Sequence, residues 1–427
     1  MKRIRNLITV FLVLLPLSVP ALQSQPLPAV SPEDVGFSSE RLDRLDRKII
    51  DNIEKGYIPG GVGILARDGK VFYEKAFGHR DLLLKDEMKI DTIFRVASMS
   101  KPITAVAAMI LFEDGKFLLT DSLSKFIPEF ENVMVMEAVE NPAQGEQPYK
   151  LVSAKSRLTV RHLLNFTSGI SYGSGPHRDL YREAGIQNGI GAPGTGTIGE
   201  NIRKLAALPL LHHPGERFTY GLNSDVLGYF IEIVSGMPFD EFCRTHLFEP
   251  LQMYDTAFFV PLDKLDRFAP LYRGGRDSVI DPDTVQTPEE PRTMFSGGAG
   301  IRTTAGDYIR FAQMILNGGE LDGVRILGPK TVAIMTTNQI GDSFAAFRDG
   351  SGDKYGLGFG IRTERGVFDS NESLGVLGWD GAFTTRFWID PAENLVGVFM
   401  YQIQGKWSIL YESRALTYQA LIKPKEK

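Results

Sequence analysis

Two apolar hairpin patterns, one near each end of the chain, constrain the fold more than any other feature. Val62 to Ala66 and Val71 to Phe77 flank Asp68-Gly69, and far downstream Thr384 to Ile389 and Leu395 to Tyr401 flank Asp390-Pro391. Each is a pair of strand-length apolar runs around turn residues, the signature of a hairpin. Helical patterns bracket them. Leu42, Leu45, Ile49, Ile50 and Ile53 recur at helical spacing between Ser38-Ser39 and Gly56, and a last helix is expected from about Ser408 to Ile422. Between the two sets, residues 116–294 read as helix and loop with little alternation. The pattern predicts an α+β fold: an antiparallel sheet built from N- and C-terminal strands, flanked by helices, with a mainly helical region inserted. The α/β part covers about 35–115 and 295–425. A ligand would then lie in the cleft between the two parts, with the glycine-rich residues 171–199 as a loop at its rim.

Phe94-Arg95-Val96-Ala97-Ser98-Met99-Ser100-Lys101-Pro102 opens an apolar helix that Ile103, Val106, Ala107, Ile110 and Leu111 carry to Gly115. Positions i and i+3 share one helix face, so Lys101 can bring its ammonium group to the hydroxyl of Ser98. That is one way to activate a weak nucleophile. At a helix N-terminus the Ser98 N–H has no intrahelical partner and can help hold an oxyanion. In isolation Ser-x-x-Lys also spells a serine cap followed by a solvated lysine, so the reading needs company. Two segments supply it. Phe218-Thr219-Tyr220-Gly221-Leu222-Asn223-Ser224-Asp225 puts Tyr220 at the mouth of a helix, and Gly378-Trp379-Asp380-Gly381-Ala382 reads as a turn before a strong strand.

Two other motifs are decoys by context. Gly169-Ile170-Ser171-Tyr172-Gly173 spells a Gly-x-Ser-x-Gly elbow, and Asp225 and His246 follow in the chain order a Ser-Asp-His triad would need. A helix-like Leu163-Leu164 precedes it and a glycine-rich loop follows, where an elbow needs a strand and a helix, so Ser171 reads as a turn serine. Gly194-Thr195-Gly196-Thr197-Ile198-Gly199 spells a dinucleotide fingerprint with no strand before it and reads as loop. The six histidines show no metal-ligand spacing, and neither a metal nor a cofactor is expected.

In its motifs and their order the chain resembles the serine β-lactamase and penicillin-binding protein superfamily, in the class C β-lactamase-like branch that includes family VIII carboxylesterases and related acyltransferases. The resemblance runs from about Ser38 to Leu421. It also takes in Leu163-Leu164-Asn165-Phe166-Thr167-Ser168-Gly169, Gly297-Gly298-Ala299-Gly300, Thr303-Thr304-Ala305-Gly306-Asp307-Tyr308 and Tyr355-Gly356-Leu357-Gly358-Phe359-Gly360. It implies Ser98 as nucleophile, Lys101 as its partner and Tyr220 as general base. A phenol is a poor base at its ordinary pKa of about 10, and a neighbouring ammonium favours phenolate. Lys101 could itself receive the serine proton, and the sequence leaves that choice open. The resemblance places the oxyanion between the N–H groups of Ser98 and Ala382, with Trp379, Asp380, Gly381, Leu222 and Asn223 as substrate-binding residues.

Two departures from the family pattern shape the substrate. β-Lactamases usually carry a lysine where Trp379 stands, and that cation helps bind the substrate carboxylate. Class C enzymes have Asn two residues after the tyrosine, where this chain has Leu222, with Asn223 one residue later. Both departures point to a carboxylesterase of small or medium esters. A β-lactamase or D-Ala-D-Ala carboxypeptidase would use the same residues on an amide, and a transacylase would pass the acyl group to an alcohol or amine. A non-catalytic binding or scaffold homologue would not need Ser98, Lys101 and Tyr220 together.

Met1-Lys2-Arg3-Ile4-Arg5 precedes a short apolar run from Leu7 to Val19, which reads as a secretory signal peptide over 1–21, with the hydrolase over 22–427. Left uncleaved, the same segment would be the only membrane contact, and the enzyme is expected to be exported, periplasmic or secreted. The formal charge of −5 becomes −8 once Lys2, Arg3 and Arg5 leave, which argues against nucleic acid as a partner. Cys243 is the only cysteine, so no intrachain disulfide can form. Its apolar helical neighbourhood makes it a core residue. Oligomeric state is not legible in the sequence.

Overall fold

The computed structural model describes residues 24–143, 146–189, 196–274, 293–342, 353–363 and 371–425. The expected signal peptide and the start of the Gly194–Gly199 motif lie outside them. Eight strands form one antiparallel sheet, in the order Lys354–Tyr355, Gly360–Ile361, Leu377–Gly381, Thr385–Asp390, Leu395–Met400, Gly60–Arg67, Lys70–Asp81 and Asp86–Glu87. The N-terminal hairpin joins the C-terminal one edge to edge, Ile64 opposite Val398. Asp68 and Gly69 both take positive φ, 55° and 71°, as the two-residue turn requires.

Both faces of the sheet are covered, which is why Gly60–Arg67 is buried at every position instead of alternating. On one face Leu65, Phe399 and Tyr401 pack with Leu42, Leu45 and Ile49 of the helix Ser39–Glu54 and Ile409 and Leu410 of the helix Trp407–Ala420. Ser38 caps the first of these by accepting the Arg41 N–H, and the second begins at Trp407, one residue before the sequence boundary. On the other face Ile64, Val398 and Phe387 pack toward the helices Ser100–Glu113 and Ala305–Leu316. Gly61 and Gly63 make the first contact possible. A Cβ on Gly63 would lie 2.4 Å from the Phe399 ring, and one on Gly61 2.3 Å from Tyr401.

Between the sheet segments lies the expected helical region, with helices Val160–Leu164, His177–Glu183, Ile198–Ala206 and Asn223–Ser235. It differs from the sequence reading in three ways, the first being that the helix His177–Glu183 lies within the expected rim loop 171–199. Met134–Ala138 and Tyr149–Ser153 pair as an antiparallel hairpin, anchored by reciprocal bonds of Met136 N–H to Leu210 O and Leu210 N–H to Met134 O. The second half of the Gly194–Gly199 motif is not loop: Thr197 caps the helix Ile198–Ala206 through a capping box with Glu200. Cys243 is fully buried, and burial pushes its thiol well above the usual range.

Candidate active site

Ser98 does not begin the long helix. It sits in a short 3₁₀ turn, Ala97–Met99, and the α-helix starts at Ser100. The i, i+3 geometry survives because a 3₁₀ turn also stacks residues three apart. Ala97 enters the turn at φ 42°, a left-handed conformation that costs an alanine about 1–2 kcal/mol. Neighbouring segments hold it there: Val96 N–H bonds Ile301 O, Tyr308 Oη donates to Met99 O, and Ile301 N–H donates to Ser100 Oγ.

Lys101 is fully buried and its ammonium donates to Ser98 Oγ at 3.0 Å and to Gly298 O at 2.7 Å. Its Nζ also lies 4.7 Å from the ring centroid of Tyr220 and 5.5 Å from that of Tyr172. The Gly297-Gly298 pair comes this close only without side chains, since a Cβ on Gly297 would sit 2.1 Å from Ser224 O. Tyr220, half-buried just before the helix Asn223–Ser235, accepts a hydrogen bond from the Trp379 indole Nε1–H at 3.2 Å. Phe166, Tyr172 and Trp379 surround its ring, with centroids 5.4 to 5.6 Å away.

Trp379 lies within the strand Leu377–Gly381 and not in a turn; the turn follows it, with Thr384 at φ 57°. Strand alternation puts Trp379 and Gly381 on the site face. A Cβ on Gly381 would meet Val96 O at 2.3 Å and Thr385 Oγ1 at 2.1 Å, so the strand end lies directly on the serine turn. Ala382 packs beside Ala97, Leu271 and Phe383.

Three of the expected substrate-binding side chains are engaged elsewhere. Asp380 alternates to the other face and is ion-paired with buried Arg386, with Nη2 to Oδ2 at 2.5 Å. Leu222 is buried in the core. Asn223 is buried too, accepting from Ser168 Oγ at 2.5 Å and donating to Ile170 O and Thr219 O, so it braces the loop that carries Tyr220. The elbow triad is not assembled. Ser171 pairs with His177 Nδ1 at 2.7 Å and takes the Gly173 N–H, while His246 stacks on Phe242.

Sequence reasoning missed the Gly298 carbonyl, Tyr172 and the part Asp225 plays in this site. Asp225 is wholly buried beside Gly298 and within reach of the Lys101 charge. An acid in the first turn of a helix is so ordinary that the sequence offered no signal for it.

Residues 45–418 match the Beta-lactamase family model. A Mycobacterium tuberculosis protein, Rv1367c, is 32% identical over 374 residues, covering 84% of this chain and 90% of its own. Esterase EstB of Burkholderia gladioli is 29% identical over 376 residues, 82% of this chain and 88% of its own. The solved structure of EstCE1, described as a hydrolase with promiscuous acyltransferase activity, superposes with a TM-score of 0.76 at 26% identity, over 88% of this chain and 98% of its own.

Proposed function

This chain belongs to the β-lactamase family of serine hydrolases, and from that premise we propose that it is a carboxylesterase of small or medium esters working through an acyl-Ser98 intermediate. One observation carries the substrate class. Where a β-lactamase sets a lysine to receive the drug carboxylate, Trp379 spends its N–H on Tyr220 and offers an apolar ring. A carboxylate desolvated there without a partner is penalised, whereas an uncharged ester is not. The esterase names of EstB and EstCE1 support the reading.

In this reading Ser98 Oγ attacks the ester carbonyl while its proton passes to a basic partner, and the carbonyl π electrons move onto oxygen. The N–H groups of Ser98 and Ala382 receive that oxyanion, each donor typically contributing about 3 kcal/mol to the transition state. Support comes from the contact of Gly381 with Val96 O, which sets the strand end against the serine turn. The proton then leaves with the alcohol, and water repeats the sequence on acyl-Ser98. An alcohol entering in place of water would give transacylation, a second reading that the EstCE1 description favours. We further propose that residues 1–21 direct export to the periplasm or beyond.

The test combines labelling with turnover. A fluorophosphonate should label wild type and Ser171→Ala but not Ser98→Ala, and kcat/KM for p-nitrophenyl butyrate should far exceed that for nitrocefin. Trp379→Lys should narrow the gap. A wild-type preference for nitrocefin would overturn the esterase reading, and label on Ser171 the nucleophile assignment.

A further inference from the structure

Asp225 is a buried carboxyl for which the steps above have no use. Its Oδ1 accepts the Ser296 hydroxyl at 2.5 Å, and its Oδ2 has no full hydrogen-bond partner although the Gly298 N–H faces the carboxylate. Gly298 is the pivot of the arrangement. Its carbonyl receives Lys101 Nζ at 2.7 Å, and a Cβ on it would lie 2.6 Å from Asp225 Oδ2 and 3.4 Å from Tyr172 Oη. A wholly buried ammonium held by a hydroxyl, one carbonyl and two ring faces has no carboxylate among these contacts, and an uncompensated buried charge is strongly unfavourable. Asp225 is the carboxylate that the fold sets against it from the neighbouring helix.

We propose that Asp225 is a positioning residue whose carboxylate, one glycine away from Lys101, offsets the buried ammonium charge and holds it at Ser98, so that the Ser98 proton passes to Tyr220 and not to Lys101. The inference rests on the acyl-Ser98 reading above and decides which base that reading uses. The Oγ–H bond of Ser98 breaks, its proton goes to the Tyr220 phenolate oxygen, and the Oγ electron pair forms the bond to the acyl carbon. The Lys101 ammonium lies over the Tyr220 ring face and the Trp379 indole N–H donates to Tyr220 Oη.

Among the described residues, groups from three segments face Asp225. Lys101 faces it from the helix Ser100–Glu113, Tyr172 from the segment after Ser171, and Ser296 and Gly298 from the loop before the strand Arg302–Thr303. Tyr172 in turn packs edge-on against Tyr220, with ring centroids 5.4 Å apart. Burial pushes the Asp225 carboxyl up to about 6, with the Ser296 bond and the Lys101 charge pulling it back. It is therefore anionic at neutral pH and is lost as a counter-charge below about pH 6. For stability the sign is opposite. A raised carboxyl favours the fold below its unfolded value, and that contribution disappears as pH rises through about 6.

The test is the fluorophosphonate labelling rate of Ser98 between about pH 5 and pH 9, with thermal melts at each pH. Wild-type labelling should fall off below about pH 6. Asp225→Asn should lose that acid limb and label about tenfold or more slowly at pH 8, without melting lower there. Ser296→Ala, which removes a donor from the carboxylate, should keep its rate at pH 8 and move the limb upward. An unchanged rate and limb in Asp225→Asn would overturn the proposal, as would a lower melting temperature with an unchanged profile. Should Asp225→Asn fail to fold, an unmoved limb in Ser296→Ala would do the same. Labelling does not depend on the ester, so wild type that labels normally but turns over no ester would sink the esterase reading alone.

Discussion

Replacing Trp379 with phenylalanine isolates one hydrogen bond of the site. The ring remains to pack on Tyr220 and Tyr355, whose centroids lie 5.6 and 5.0 Å away, while the Nε1–H that reaches Tyr220 Oη at 3.2 Å is lost. A bond to a charged acceptor is worth about 1.5–3 kcal/mol, and one between neutral groups about 0.5–1.5 kcal/mol. At 1.36 kcal/mol per tenfold, loss of support to a phenolate corresponds to a fall in kcat/KM of about 10- to 150-fold, and loss of support to a neutral phenol to about 2- to 13-fold. The upper range is the one that the proposed transfer of the Ser98 proton to Tyr220 requires. Initial rates on p-nitrophenyl butyrate across neutral to alkaline pH measure it, with the loss narrowing as pH rises and hydroxide does the work of deprotonation. Trp379 is 9% exposed, so the smaller ring also leaves a gap; a thermal melt separates that cost, about 1–2 kcal/mol, from the kinetic one. A folded Trp379→Phe enzyme within twofold of wild type would refute the link between the indole N–H and Tyr220.

Gly381→Ala should lower kcat by about 100-fold with little change in KM, because a Cβ 2.3 Å from Val96 O must push the strand end, and with it the Ala382 N–H, off the serine turn. Near wild-type kcat would separate Ala382 from the oxyanion. If residues 1–21 direct export as proposed, intact-mass measurement of the protein expressed from its full sequence should find a chain that begins close after Ala21; a full-length chain retained in the membrane fraction would make that segment an anchor.

Local order was legible because it is written in contiguous residues. The Ser38 cap, the Asp68-Gly69 turn, the apolar runs on either side of it and the spacing of Ser98 and Lys101 each need only a few neighbours, and each is found where the sequence places it. The large sheet was legible for the same reason, since strands with two apolar faces must be covered on both. What the sequence could not contain is which distant pieces touch. The hairpin of Met134–Ala138 and Tyr149–Ser153 owes its place to backbone bonds with Leu210. Asp380 looked like a site residue, and Asp225 entered only as the acid of the rejected Ser171 triad. Strand alternation turned the first onto Arg386, and the packing of Gly298 against the helix Asn223–Ser235 brought the second beside Lys101. Periodicity and turn chemistry act over a few residues and are fixed by the chain alone. Facing and charge pairing across the site depend on register and on the close approach of glycine backbones, and those exist only once the sheet and the helices have met.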